Sequence, residues 1–166
     1  METLDNEAGA GRVEADLDVE APGLLRYGFQ LGEMRLLFDP SLGSQFLDLM
    51  PVFPLPNSAR WFTGLANVHG GLVPVFDLGA TVGEPVTQFD DCKLLVLGER
   101  GRCAGILINS LPSKMLIDAS QHAAPRSLPQ PPIGPNVVNG YWHQGSMWME
   151  VDYDALFRDL SESGSA

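Results

Sequence analysis

Trp61-Phe62-Thr63-Gly64-Leu65-Ala66-Asn67-Val68-His69-Gly70-Gly71-Leu72-Val73-Pro74-Val75-Phe76-Asp77-Leu78 holds two apolar runs, Leu65 to Val68 and Leu72 to Phe76, on either side of His69-Gly70-Gly71. Each run has the length of a short buried strand, and His69-Gly70-Gly71 supplies the positive-φ positions that a tight reversal requires. The stretch predicts a hairpin with its polar residues at the turn and the exits. It carries no catalytic constellation and points to a binding scaffold.

The plan recurs along the chain. Leu31-Gly32-Glu33 and Leu97-Gly98-Glu99 each close an opening hairpin, and Gly140 to Asp152 repeats the order of Gly64 to Asp77: strand, turn, strand, acidic residue, short helix. Leu25, Tyr27, Phe29 and Leu31 alternate with Arg26, Gly28 and Gln30, the period of a half-buried strand. Short antiparallel strands that close on themselves leave no exposed edge, so two copies of a small five-stranded barrel would bury this pattern. The fold class expected is mostly β, with halves at about 24–83 and 92–160 in one domain spanning 23–160.

Between these signals the reading is local. Residues 40–57 have three prolines near their end and read as an irregular or edge segment, with Phe46, Leu47 and Leu49 packing inward. Asn57 or Ser58 is placed to cap a helical turn through Ala59 to Phe62, and Pro74, lacking an N–H, predicts a strand at an edge or barrel rim. A helical turn is expected from Asp77 to Val82, ending at Gly83. Residues 118–136 form a proline-dense loop, and Asp152 or Asp154 caps a final helix through Ala155, Leu156, Phe157 and Leu160.

Composition narrows the function. The chain has 166 residues, 45% of them hydrophobic, with 18 glycines and 13 prolines, which favours many short strands over long helices. Its net charge of −11 disfavours phosphate backbones and anionic lipid, so no nucleic-acid partner and no direct membrane insertion are expected. More than half of that charge is local, because Glu2, Asp5, Glu7, Glu14, Asp16, Asp18 and Glu20 face Arg12 alone within residues 1–22. That segment is expected to be a disordered acidic leader, with a C-terminal tail over 161–166. No apolar run of about 18 residues and no secretion signal are evident, so a cytoplasmic protein is expected, with Cys92 and Cys103 as small buried thiols.

Chemistry finds few candidates. His69, His122 and His143 lack the spacing of a metal site and fall at turns or in the proline-rich loop. No metal, cofactor or catalytic residue is therefore assigned. Asp77 and Asp152 each precede an expected helix, where a carboxylate caps backbone N–H groups. Of Trp61, Trp142 and Trp148, all beside hairpins, packing is the expected role, and Trp148 is singled out as a possible additional hot spot because it follows a turn.

These residues resemble the CheW-like family of chemotaxis coupling proteins. Pro56, Trp61, Gly64 and the run from Asn67 to Leu78 are similar to that family's proline, tryptophan, glycine, N-[LV]-R-G and PV-x-DL signature. Cys103 to Leu111 is similar to its second, apolar signature. The stretch from Gly140 to Trp148 is most similar to PilI-type members associated with twitching motility and type IV pili. The resemblance implies two intertwined SH3-like five-stranded β-barrels with short helices. It further implies a non-enzymatic adaptor between the cytoplasmic tip of a methyl-accepting chemoreceptor and the regulatory domain of a CheA-type histidine kinase, recruited to receptor arrays. In the family the groove between the barrels receives the receptor tip, and barrel ends pair with the similarly folded kinase domain.

The partner-binding positions it carries over are Asn67, His69, Gly70, Leu111 and Lys114. The chain departs from the family in three places. His69 stands for the arginine, losing a fixed charge and a bidentate fork. Gly43-Ser44-Gln45-Phe46 replaces a V-x-E-[IV] segment, and Asn109 replaces an aspartate. His69 and the Gly43 region motivate the alternative of a divergent CheW-like scaffold that binds another pilus or signalling protein without kinase coupling.

Overall fold

The computed structural model describes residues 23–86, 91–99 and 101–163. The expected leader, Asp90 and the last residues of the tail lie outside them. Alternation and turn chemistry produce eleven strands among the described residues: β1 (Gly23–Leu31), β2 (Met34–Phe38), β3 (Ser44–Asp48), β4 (Val52–Phe53), β5 (Phe62–Val68), β6 (Gly71–Phe76), β7 (Lys93–Leu97), β8 (Ala104–Ile108), β9 (Ser113–Asp118), β10 (Val137–His143) and β11 (Ser146–Val151). One helix, α1 (Tyr153–Ser163), follows, so residues 161–163 continue the helix rather than begin a tail.

The strands form a five-stranded sheet in the order β10-β11-β2-β1-β9 and a six-stranded sheet in the order β3-β7-β8-β6-β5-β4. Each sheet draws from both sequence halves. The β1–β2 hairpin of the first half completes the sheet of β9, β10 and β11, while the β7–β8 hairpin of the second completes that of β3, β5 and β6. The exchange is made by matching pairings. β11 joins β2 in parallel at Met149↔Leu36, and β6 joins β8 in parallel at Val75↔Gly105. β1 pairs β9 antiparallel, as β7 pairs β3. The sixth strand, β4, is a two-residue addition beside β5.

A continuous core follows from this exchange. Phe29, Leu36 and Phe38 of the first hairpin cluster with Val75, Phe76, Leu94, Leu95, Ile106 and Ile108 of the other sheet. Helix α1 bridges them: Phe157 stacks on Phe76 at 6.0 Å, Tyr153 meets Phe38 edge-on at 6.4 Å, and the Tyr153 hydroxyl donates to the Leu37 carbonyl at 2.9 Å. Full burial pushes the Tyr153 hydroxyl well above its ordinary pKa, so it remains a donor. Each fully buried Leu or Phe contributes roughly 1.5–3 kcal/mol of transfer free energy. An ion pair, Arg26 to Glu150 at 2.7 Å, reaches from β1 over β2 to β11 with both side chains mostly buried.

Several local expectations are corrected. The β5–β6 reversal uses His69 (φ 52°) and Gly70 (φ 86°) alone, with Val68 opposite Gly71, so Gly71 begins a strand. No helical turn forms at 59–62; the Phe62 amide bonds the Ala59 carbonyl in a simple turn, and Ser58 Oγ donates back to Leu55. Of the three apolar residues expected inward from 40–57, Leu47 packs on the core while Phe46 and Leu49 are exposed, because β3 is an edge strand whose alternation turns Phe46 outward. Leu25 is exposed opposite Leu116. β6 is an interior strand, and Pro74 fits there because pairing to β8 begins only at Val75. Cys92 is buried, but Cys103 is only half-buried.

Candidate functional site

The β5–β6 hairpin builds one end of the six-stranded sheet. A two-residue reversal with positive φ at both positions has the twist that neighbouring strands need, and β10–β11 repeats it with Gln144 (φ 52°) and Gly145 (φ 81°). Asn67 supports the first turn, its Oδ1 accepting from the Gly70 amide at 2.9 Å. A non-glycine residue in the left-handed region costs of order 1 kcal/mol, so His69 is held there by the hairpin around it. This places the imidazole across the mouth of the sheet, its Nε2 2.9 Å from Gln45 Oε1 of β3. β3 and β5 are separated by three strands, so the contact closes the curl of the sheet.

Beneath that contact lies an open groove of about 730 Å³. Gln45, Val68, His69, Leu72, Val96 and Cys103 contribute to its walls, and the β7–β8 connection adds Gly98 and Gly101. Leu72 beside the turn is 68% exposed, and a Cβ on Gly70 would meet nothing within 4 Å, so this edge is open to an incoming surface.

Leu111 and Lys114 occupy a different place. β6 and β8 run parallel; the His69-Gly70 turn precedes β6, whereas Leu111 follows β8, so the two sets lie toward opposite ends of the six-stranded sheet. The chain interval from Leu31 to Ser44 equals that from Leu97 to Ser110, which makes Leu111 the second-repeat counterpart of Gln45. Leu111 is 67% exposed, and Lys114 is exposed in β9 opposite Tyr27. The five residues therefore divide between two quasi-equivalent ends instead of lining one groove. Gln45, part of the replaced segment, is the groove residue that motif matching left unassigned; its pairing with His69 has no signature in sequence.

The remaining candidates have structural partners. Asp77 is buried, its Oδ1 accepting from the Ala80 amide at 3.3 Å and both oxygens from the Val86 amide at 3.1 and 3.0 Å. It caps the 3-10 turn Leu78–Val82, which Gly83 closes in the left-handed conformation. Asp152 accepts from the Ala155 amide at 3.1 Å and caps α1. His122 Nε2 lies 3.0 Å from Asn139 Oδ1 and its ring stands edge-on to Tyr141. Trp148 is half-buried against Leu37, Ile117 and Tyr141, and Trp142, at 40% exposure, is the more open indole. Lys93 and Asp48 pair at 2.8 Å on the surface, each holding the other's charge, so the Asp48 carboxyl is lowered and the Lys93 ammonium raised. Among the described residues no group of three His, Cys, Asp or Glu side chains could hold a metal ion, and no helix is long and apolar enough to cross a membrane.

Comparison with known proteins agrees with this architecture. The crystal structure of the scaffolding protein TtCheW from Thermoanaerobacter tengcongensis superposes with a TM-score of 0.64, at 19% identity, over 82% of this chain and 88% of that one. No curated protein matches the sequence. The CheW-like domain matches residues 27–161, which takes in every strand but the first four residues of β1 and most of α1, and the chain belongs to that family.

Proposed function

We propose that this protein is a non-enzymatic adaptor that couples the cytoplasmic tip of a methyl-accepting chemoreceptor to the regulatory domain of a CheA-type histidine kinase. The observation that carries the proposal is the pair of quasi-equivalent ends, one at His69-Gly70 with exposed Leu72 and one at Leu111, on a scaffold whose buried carboxylate caps backbone. A molecule with two docking ends joins two proteins. It transmits a signal when each interface differs in free energy between two signalling states. Asn67, His69 and Gly70 serve one interface and Leu111 with Lys114 the other; Trp148 acts from beneath the surface, as packing that supports β11. The protein works in the cytoplasm, at membrane-bound arrays, and its output is flagellar or, following the PilI-like stretch, type IV pilus motility.

Co-sedimentation of receptor tip, kinase and this protein tests the proposal. A ternary complex is expected at tens of micromolar, about −6 kcal/mol or tighter for each contact. Failure to form one at that concentration rejects it. A second reading, a scaffold for another pilus or signalling protein without kinase control, is favoured by the contact of His69 with Gln45, where the family signatures carry an arginine and a glutamate. The two readings part on whether the kinase responds.

A further inference from the structure

The outward face where β1 pairs with β9 is apolar and uncovered. Leu25 and Leu116 are cross-strand partners, 43% and 67% exposed, and neither joins a core cluster. Leu24, Met115 and Ile117 alternate with them and turn the other way, into the small cluster with Leu37 and Tyr141. The same alternation puts Lys114 beside Leu116 on the outward face, opposite Tyr27, and Lys114 has no ion-pair partner among the described residues. Asp118, at the other end of this face and opposite Gly23, is engaged, accepting from the Ser120 amide at 2.9 Å and its hydroxyl at 2.7 Å. The face is thus an apolar pair with a cation at one end.

The acidic leader joins the fold at this point. Gly23 opens β1, and Leu116 lies over it: a Cβ on Gly23 would sit 2.7 Å from Leu116 Cδ1. The residues just before it are Asp16-Leu17-Asp18-Val19-Glu20-Ala21-Pro22, three carboxylates alternating with two large apolar side chains and no cation. In extended chain Leu17 and Val19 share one side, with the acids on the other. Lys114 is four residues along β9 from Asp118, about 13 Å, and the chain from Asp18 to Gly23 spans up to about 17 Å, so a segment folded back from Pro22 reaches it. The long stem of Lys114 lets its ammonium meet those carboxylates at the rim while apolar side chains cover the leucines. Attachment two residues away raises the local concentration of this segment to the millimolar range, so a contact too small to hold a second copy at micromolar concentration is populated within one chain.

We propose that the segment Asp16–Glu20 docks on its own chain, with Leu17 and Val19 over Leu25 and Leu116 and its carboxylates at Lys114, and that a partner using the Leu111–Lys114 end must displace it. The leader is then a built-in competitor, which lowers the apparent affinity at that end by the fraction of molecules in which the face is free. Displacement rests on the adaptor reading; docking does not.

The test treats the full chain with a carbodiimide, which joins an amine directly to a carboxylate in contact with it, and maps the links by mass spectrometry in a mixture of unlabelled and nitrogen-15-labelled protein, so that links within a chain are told from links between copies. Lys114 is expected to link to Asp16, Asp18 or Glu20 of the same chain. The yield should fall at least about fivefold in Leu116→Ser and in the double variant Leu17→Ser with Val19→Ser, which remove apolar cover and leave every linking group in place. The double variant also keeps the charge of the leader. Titrated with a chemoreceptor tip and with the regulatory domain of a CheA-type kinase, it should bind the partner that uses the Leu111–Lys114 end about three- to tenfold more tightly than wild type, with the other partner unchanged. Absence of the intrachain link, or links between copies only, overturns the docking; the latter gives the face to a second copy. An intrachain link with unchanged affinity for both partners overturns the displacement. If neither partner binds either protein, the adaptor reading fails, and the cross-link still decides the docking.

Discussion

Replacing Asp77 by Ala removes the one buried carboxylate that ties the Leu78–Val82 turn to the chain beyond it. The Val86 amide, held by both carboxylate oxygens at 3.1 and 3.0 Å, loses its acceptor, whereas the Ala80 amide loses a side-chain contact of 3.3 Å and keeps the Asp77 carbonyl at 3.1 Å. Water cannot take over, because Leu78, Gly79, Ala80 and Thr81 are all buried. Hydrogen bonds to a charged acceptor contribute about 1.5–3 kcal/mol each, and an orphaned buried donor costs about 1–3 kcal/mol. The change should therefore destabilise the domain by about 2–3 kcal/mol, or roughly 4–12 °C in Tm for a domain of this size. Asp77→Asn keeps one acceptor and opposes an amide to an amide, so about 1–2 kcal/mol is expected. The repeat supplies the control: Asp152 caps α1 from an exposed position, and Asp152→Ala should cost about 1 kcal/mol. Urea denaturation of the four proteins measures these differences. An Asp77→Ala loss no greater than that of Asp152→Ala would refute the reasoning, because it would mean that burial adds nothing to the cap.

Burial pushes the Cys92 thiol up to about 11, with the charges of Asp77 and Asp91 adding to the effect, whereas half-buried Cys103 lines the groove. At about pH 8 a thiol reagent should label Cys103 and spare Cys92, whose rate should rise about tenfold per pH unit up to about 11; equal rates in a mass-spectrometric time course would contradict this. Gly64 has φ 145°, and a Cβ there would lie 2.3 Å from the Phe53 carbonyl oxygen, so Gly64→Ala should cost about 2–3 kcal/mol and loosen β4. Gly70→Ala, with open space around it, should cost about 1 kcal/mol, and denaturation curves that reverse this order would refute the assignment. Trp148→Ala opens a gap above Gly28 and should cost about 2–4 kcal/mol, against under about 1 kcal/mol for exposed Trp142→Ala. Hydrogen bonds from Ser41 hold the Asp39 carboxyl below its ordinary range, with Arg26 assisting, so its contribution is present above the unfolded value near ~3.9 and lost as pH falls through the lower folded one. Asp39→Asn should thus be less stable than wild type at about pH 6 and converge with it near pH 2.

Legibility in the sequence followed burial. Both tight hairpins, the duplication and the carboxylate caps could be read because strands buried on one or both faces, such as Leu94 to Leu97 and Ala104 to Ile108, write their environment into apolar runs. The two strands that pass between repeats could not. β3 has Leu47 alone turned toward the core, and β9 buries only Ile117 with Met115 half-buried beside it, so each presents too short an apolar face to stand out as a strand. The exchange of hairpins between sheets is set by those crossing strands, and no local pattern encodes which sheet a strand joins. At the site, His69, Asn67 and Gly70 were legible as a turn. The Gln45 contact was not, because nothing in a sequence places β3 against a hairpin three strands away.

Autophosphorylation of a CheA-type kinase in the presence of receptor, with and without this protein, tests the adaptor claim most directly. Receptor control of the rate is predicted only when the protein is added, and it should be lost when His69 at one end or Leu111 at the other is replaced by a bulky charged residue. A rate that is the same with and without the protein, at concentrations well above about 10 μM, would contradict the account.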